Sequence, residues 1–118
     1  MLPDRASVGV ALIARNAEKT LGACLDSIRP YVEQVVVCVD ETTTDQTADV
    51  AGDHGAETHP VTVSTEHTCP THGTFRAQHF ANARNHSFTF LRADLKWRLW
   101  VDSDDIVEGG ERLPALLA

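Results

Sequence analysis

The sequence predicts an α/β protein: a parallel sheet with helices on both faces, incomplete where the chain stops at residue 118. Three observations predict it. Two Val-rich apolar runs lack period-two alternation, as strands buried on both faces do. Between them Leu21, Cys24, Leu25 and Ile28 recur at the i, i+3, i+4, i+7 spacing of one helical face. Strand and helix signals then alternate along the chain, which implies right-handed crossovers between parallel strands.

Each element has its own signal. Ser7 to Ala14 (SVGVALIA) is the first strand, ended by Arg15 and Asn16, and Asn16 is a suitable N-cap for the helix that follows. That helix runs from Ala17 to about Arg29, and Pro30 closes it. Gln34 to Asp40 (QVVVCVD) is the second strand. Thr43 and Gln46 have capping-box spacing and open a helix carrying Thr47, Ala48, Val50 and Ala51, with Gly55 placed to end it. Glu57 to Val63 reads as a third strand, which Pro60 confines to an edge or shortens. Ser64 to Thr74 is polar and reads as a loop. Phe75 to about Arg92 reads as a helix with Phe80, Ala83, Ser87, Phe88 and Leu91 on one face. Trp97 to Val101 is the fourth strand, and Leu113 to Ala118 starts a helix expected to dock on something absent from the chain.

Composition excludes several classes. At 42% hydrophobic and 23% charged the chain is ordinary globular protein, and 6% aromatic content leaves Val, Leu, Ile and Ala to build the core. A net charge of −7 leaves no basic footprint for nucleic acid or an anionic membrane, although a metal ion can bridge acid to phosphate. No apolar run reaches the length of a membrane span, and the first residues lack a signal-peptide core. Cys24, Cys38 and Cys69 are odd in number and widely spaced, so a disulfide framework is not expected and the reducing cytoplasm is the expected location.

In parallel sheets ligands bind at the carboxyl ends of the strands. Three such ends here are chemically rich: Arg15-Asn16, Asp40-Glu41 and Asp102 to Asp105. Carboxylates two residues apart beyond a strand can reach one hard divalent cation, Mg2+ or Mn2+; the alternative is a plain acidic turn. Asp40, before the turn, is placed to accept hydrogen bonds from a nucleoside, whereas Asp45 reads as a helix N-terminal acid favoured by the dipole. Arg84 is either solvated or, if its helix packs beside both acid clusters, orders them or meets a phosphate. His67, Cys69 and His72 are soft metal-ligand types, but without a partner pair they read as a polar loop. Trp97 and Trp100 read as packing residues.

Taken together these pieces resemble the family 2 glycosyltransferases, which have the Rossmann-like GT-A fold that binds nucleotide sugars. VGVALIARNAEKTLGACLDSI looks like that family's opening strand, turn and Leu-rich helix, and VVVCVDETTTDQTADVA like its hhhVDxGSxDxT element. HFANARNHSF looks like its A-R-N helix and LWVDSDDIV like its hhhLDxDD segment, a DxD motif. Four motifs in the right order and spacing make the resemblance fairly specific. It departs where Glu41-Thr42-Thr43 replaces the usual Gly-Ser turn.

The resemblance implies inverting transfer of a sugar from a nucleotide diphosphate sugar donor to an acceptor, whether glycan, lipid or protein. It implies substrate binding by Ala14, Asn16, Asp40, Arg84, Asp102 and Ser103, with Asp40 on the base and Asp102 near the ribose. Asp104 and Asp102 would hold the Mn2+ or Mg2+ that bridges the diphosphate, with Asp105 a neighbour. The catalytic base would lie beyond residue 118, so residues 1–118 read as the N-terminal, donor-binding half of the domain, with the acceptor half absent. Two other readings stay open. One is a nucleotidyltransferase, disfavoured because Ala14-Arg15-Asn16 has no Gly for a phosphate loop; the other is a nucleotide-binding or interaction module without transfer activity.

Overall fold

A computed structural model describes residues 5–71 and 73–117. Four strands form the main sheet: β1 (Ala6–Ala14), β2 (Val32–Asp40), β3 (Glu57–Val61) and β6 (Trp97–Trp100). Their order is β3-β2-β1-β6 and every pairing is parallel. The expected fold class is therefore present. β1 lies inside the sheet, with Val10 registered against Val35 on one side and Leu99 on the other. Pro60 lies in an edge strand, where its missing N–H costs no ladder bond.

The strands alternate between two cores. Val8, Val10, Leu12, Val35 and Val37 face one way, under α1 (Leu21–Ile28) and α2 (Thr47–Asp53). Ala11, Val36 and Cys38 face the other, under Ala83 of α3 (Phe80–Phe88) and Leu91. The fully buried residues of both cores are aliphatic apart from Cys24 and Cys38, with Phe88 and Phe90 packed against the second. Gly9 admits the second layer closely: a Cβ there would lie 2.8 Å from methyl carbons of Leu91 and Leu95.

Several local expectations are corrected. α1 begins at Leu21 rather than Ala17, and Thr20 rather than Asn16 precedes it. Asn16 instead takes a positive φ of 48°, a region Asn tolerates because its short amide bonds locally. The stretch expected as a polar loop, Ser64 to Thr74, is mostly an antiparallel hairpin, β4 (Ser64–Cys69) and β5 (Gly73–Gln78). Its Thr-rich strands suit β structure, Thr68 and Thr74 hydroxyls meet across it at 3.3 Å, and Gly73 (φ 75°) closes the three-residue turn. The helix expected from Phe75 begins at Phe80, because the helical stripe itself starts there. Phe80 is not on the buried face but 53% exposed. At the other end α4 (Leu113–Leu116) is preceded by a short 3-10 turn, Gly110–Arg112. Leu113 and Leu117 pack against the α1 core while Leu116 is 73% exposed, and Ala118 lies outside the described residues. Trp97, expected to pack, is 50% exposed on edge strand β6.

Gln34, buried in β2, fixes the return of the chain toward β6. Its amide nitrogen donates to the Phe90 carbonyl (3.0 Å) and to Glu57 Oε1 (3.1 Å). Its oxygen accepts the Arg92 N–H at 2.7 Å. Replacing Gln34 by Leu leaves part-buried main-chain groups of Phe90 and Arg92 without their partner, so Gln34→Leu is expected to lower unfolding stability by about 1–2 kcal/mol. Urea denaturation followed by circular dichroism measures it, and a loss within 0.5 kcal/mol, roughly the scatter of neutral surface changes, would remove Gln34 from this role.

Candidate functional site

Because the strands run parallel, the three chemically rich ends emerge at one edge of the sheet. β1 stands between the strand that ends in Asp40 and the one that leads to residues 102–105. A cavity of about 510 Å³ opens there, walled by Arg15, Asn16, Asp40, Asp102, Ser103 and Asp104. Ile13, Phe80 and Trp100 supply its apolar surface. Asn16, Asp40, Asp102, Ser103 and Asp104 thus line one cleft. Ala14 does not: its side chain is buried in the core below. Arg84 stands beside the cleft rather than in its wall.

Asp40 is only 5% exposed. Its Oδ1 accepts hydrogen bonds from the Thr42 N–H (2.9 Å) and the Thr42 hydroxyl (3.0 Å). That hydroxyl in turn accepts from Arg15 Nε at 2.8 Å. Asp40 Oδ2 takes no hydrogen bond among the described residues, so a buried carboxylate keeps one acceptor oxygen available. Asp40 also borders a second cavity, of about 360 Å³, shared with Glu41, Thr43, Asp45 and His59.

The turns after β1 and β2 are stitched together. Asn16 Oδ1 accepts the Thr44 N–H at 2.8 Å. Glu18 N–H donates to Asp45 Oδ2 (3.2 Å), and Gln46 N–H donates to Glu18 Oε2 (3.2 Å). Buried Thr47 accepts the Ala17 N–H at 2.8 Å and donates its own proton to Asp45 Oδ1. The capping box expected from Thr43 is absent; the Asp45 carboxylate, which accepts the Thr47 N–H (3.0 Å), serves the start of α2 instead. The Thr47 hydroxyl, and after it the main-chain N–H groups, hold the Asp45 carboxyl below the usual carboxylate range. Asp45 is therefore a structural acid, in keeping with its reading from sequence.

Residues 102–105 form a tight turn. Asp102 N–H donates to Asp105 Oδ2 and Asp105 N–H to the Asp102 carbonyl, both at 3.0 Å. One carboxylate oxygen from each of Asp102, Asp104 and Asp105 lies within 4.8 Å of the others, and all three side chains are exposed. A set of hard oxygen donors on an open turn fits Mg2+ or Mn2+ with room for water and phosphate ligands. α1 anchors this turn from below. The Cys24 thiol donates to the Asp102 carbonyl at 3.4 Å, and Ser27 Oγ accepts the Val107 N–H at 2.9 Å. Burial, and then Asp105, Asp104 and Asp102, push the Cys24 thiol up to about 11, so it stays a protonated donor at neutral pH.

The remaining singled-out residues lie elsewhere. The Arg84 guanidinium rests 4.6 Å above the Trp100 ring. Cys69 ends β4; His72 and the His67 side chain fall outside the described residues. Sequence reading missed Thr42, Thr47, Phe80 and Trp100 as site residues. Only Thr42 carried a local signal, a hydroxyl two residues after a strand-end Asp, which is Asx-turn spacing.

The family model described as Glycosyl transferase family 2 matches residues 9–118. No curated protein matches the chain.

Thr47→Val keeps the shape of the side chain but leaves the Ala17 N–H buried without its acceptor, and is expected to cost about 1–3 kcal/mol. The Asp45 bond makes part of this stability pH-dependent. A lowered folded pKa means the contribution is present above the unfolded carboxyl pKa and is lost as pH falls through the folded one. Urea melts of both proteins from neutral pH downward should therefore draw closer in acid without meeting, since the Ala17 bond does not titrate; a constant gap would refute the Thr47–Asp45 linkage.

Proposed function

The chain belongs to glycosyl transferase family 2, and from that premise we propose that its cleft binds a nucleotide diphosphate sugar together with a divalent cation. The donor's sugar then passes, with inversion, to the hydroxyl of an acceptor. The observation that carries this reading is the juxtaposition of two carboxylate sites across one cleft. On one side is buried Asp40 with one oxygen available, and on the other the exposed Asp102, Asp104 and Asp105 turn.

The two sites divide the ligand between them. Asp40 Oδ2, reachable from the cleft on an otherwise buried residue, suits an N–H or O–H donor, as a nucleobase imide or a ribose hydroxyl provides. Arg15 and Thr42 fix the other Asp40 oxygen, so the carboxylate arrives pre-oriented. Asp102 and Asp104 would hold the cation, with Asp105 partly committed to the Asp102 N–H. When bound, that cation supplies Lewis-acid stabilisation of the charge gathering on the departing diphosphate. The apolar surface of Ile13 and Phe80 gives the organic part of the donor a place to exclude water. Buried free thiols at Cys24 and Cys38 fit a cytoplasmic setting. Among the described residues no helix is long and apolar enough to cross a membrane.

Calorimetric titration with UDP, GDP and dTDP sugars, each with and without Mn2+, tests the proposal. One of the three should bind only with metal, and Asp104→Ala should weaken that binding by about tenfold or more. Metal-independent binding throughout, or an Asp104→Ala protein indistinguishable from the parent, would sink it.

A further inference from the structure

Thr42 stands where this chain departs from its family. In the element hhhVDxGSxDxT, aligned on Asp40 and Asp45, its position belongs to a glycine, which has no side chain to offer. The hydroxyl found here is engaged on both sides. Arg15 Nε is a donor only, so at 2.8 Å the Thr42 oxygen accepts from it. The single hydroxyl proton is then committed to Asp40 Oδ1, at 3.0 Å. Together with the Thr42 N–H, at 2.9 Å, it fills both acceptor sites of that oxygen.

For a ligand this changes how many bonds Asp40 can accept. Only Oδ2 is left, since it takes no hydrogen bond among the described residues. Arg15 lines the same cleft, and its two Nη groups make no hydrogen bond among the described residues. This end of the cleft therefore offers one acceptor oxygen and one guanidinium, linked through a single hydroxyl, in place of a two-oxygen fork.

We propose that Thr42, clamped by Arg15, is a specificity-determining residue: it reduces Asp40 to a single acceptor and so selects a uracil or thymine nucleotide over a guanine one. The proposal rests on the donor-site reading and deepens it by naming the class of base. Guanine presents adjacent N1–H and N2–H donors, which pair best with both oxygens of a carboxylate, as a guanidinium does. On Asp40 one of those donors would lose its water and find no acceptor. Uracil and thymine present one N–H between two carbonyls. That N–H matches Oδ2, and a carbonyl beside it matches the free N–H groups of Arg15. A carboxylate with both oxygens free would accept either edge. The preference therefore lies in what occupies Oδ1, not in Asp40 itself.

Calorimetry on the full chain with UDP, dTDP and GDP, each with Mn2+, tests the assignment. The parent should bind UDP or dTDP about tenfold or more tighter than GDP. The variants are made in an Arg15→Met background, which keeps the guanidinium from moving onto Oδ1 when the hydroxyl is removed. There Thr42→Gly or Thr42→Val frees a site on Oδ1, and GDP affinity should rise about threefold or more. Thr42→Ser, which keeps the hydroxyl, should leave GDP affinity within about twofold of the Arg15→Met protein. A damaged turn does not produce such a gain, because damage weakens all three diphosphates together. Three results overturn this proposal and leave the donor reading standing: a parent that favours GDP, no gain with either Thr42→Gly or Thr42→Val, or an equal gain with Thr42→Ser. Failure of the parent to bind any of the three diphosphates overturns both.

Discussion

Parallel pairing of β1 with β2 on one side and β6 on the other is the constraint on which the rest of the structure depends. A parallel ladder sends every strand out at the same edge, so residues far apart in sequence leave the sheet as neighbours. It also obliges both faces to be covered, because each crossover lays a helix against the sheet. The division of Val10 and Leu12 from Ala11, and of Val35 and Val37 from Val36 and Cys38, is the side-chain expression of that demand.

The polar network at the strand ends follows from the same constraint. Two turns that leave adjacent strands side by side must satisfy their main-chain groups, and they do so from each other. Asn16 serves Thr44, Asp45 serves Glu18, Glu18 serves Gln46, and Thr47 serves Ala17. The acidic turn beyond β6 is secured differently, from beneath, by Cys24 and Ser27 of α1. One wall of the cleft is thus fixed by turn-to-turn bonds and the other by a helix of the core. Among the described residues this leaves one oxygen of Asp40 and the Asp104 carboxylate without hydrogen bonds while the turns that carry them are held.

Local patterns succeeded where a single element decided the outcome and failed where partners did. The strands of QVVVCVD and SVGVALIA were legible because burial on both faces leaves an unbroken apolar run. The hairpin of β4 and β5 was not, since its strands pair with each other apart from the main sheet and neither STEHTC nor GTFRAQ carries an unbroken apolar run. The assignment of Asn16 as an N-cap failed for a related reason. Its amide is used across the sheet edge by Thr44, 28 residues away, a competition that no local window contains.

By itself the sequence determined the parallel α/β class, the aliphatic core, the family resemblance, and the acids at positions 40, 102, 104 and 105. These depend on residue type and short-range spacing, which the chain carries explicitly. Only the tertiary structure decided that Ala14 is core while Asn16 lines the cleft, that Asp45 is bound up in a turn while Asp40 keeps an oxygen available, and that Arg84 rests on Trp100. The physical reason is that each of these depends on which groups compete for a hydrogen bond or a packing surface. That competition is settled between segments brought together by the sheet, not within any one of them.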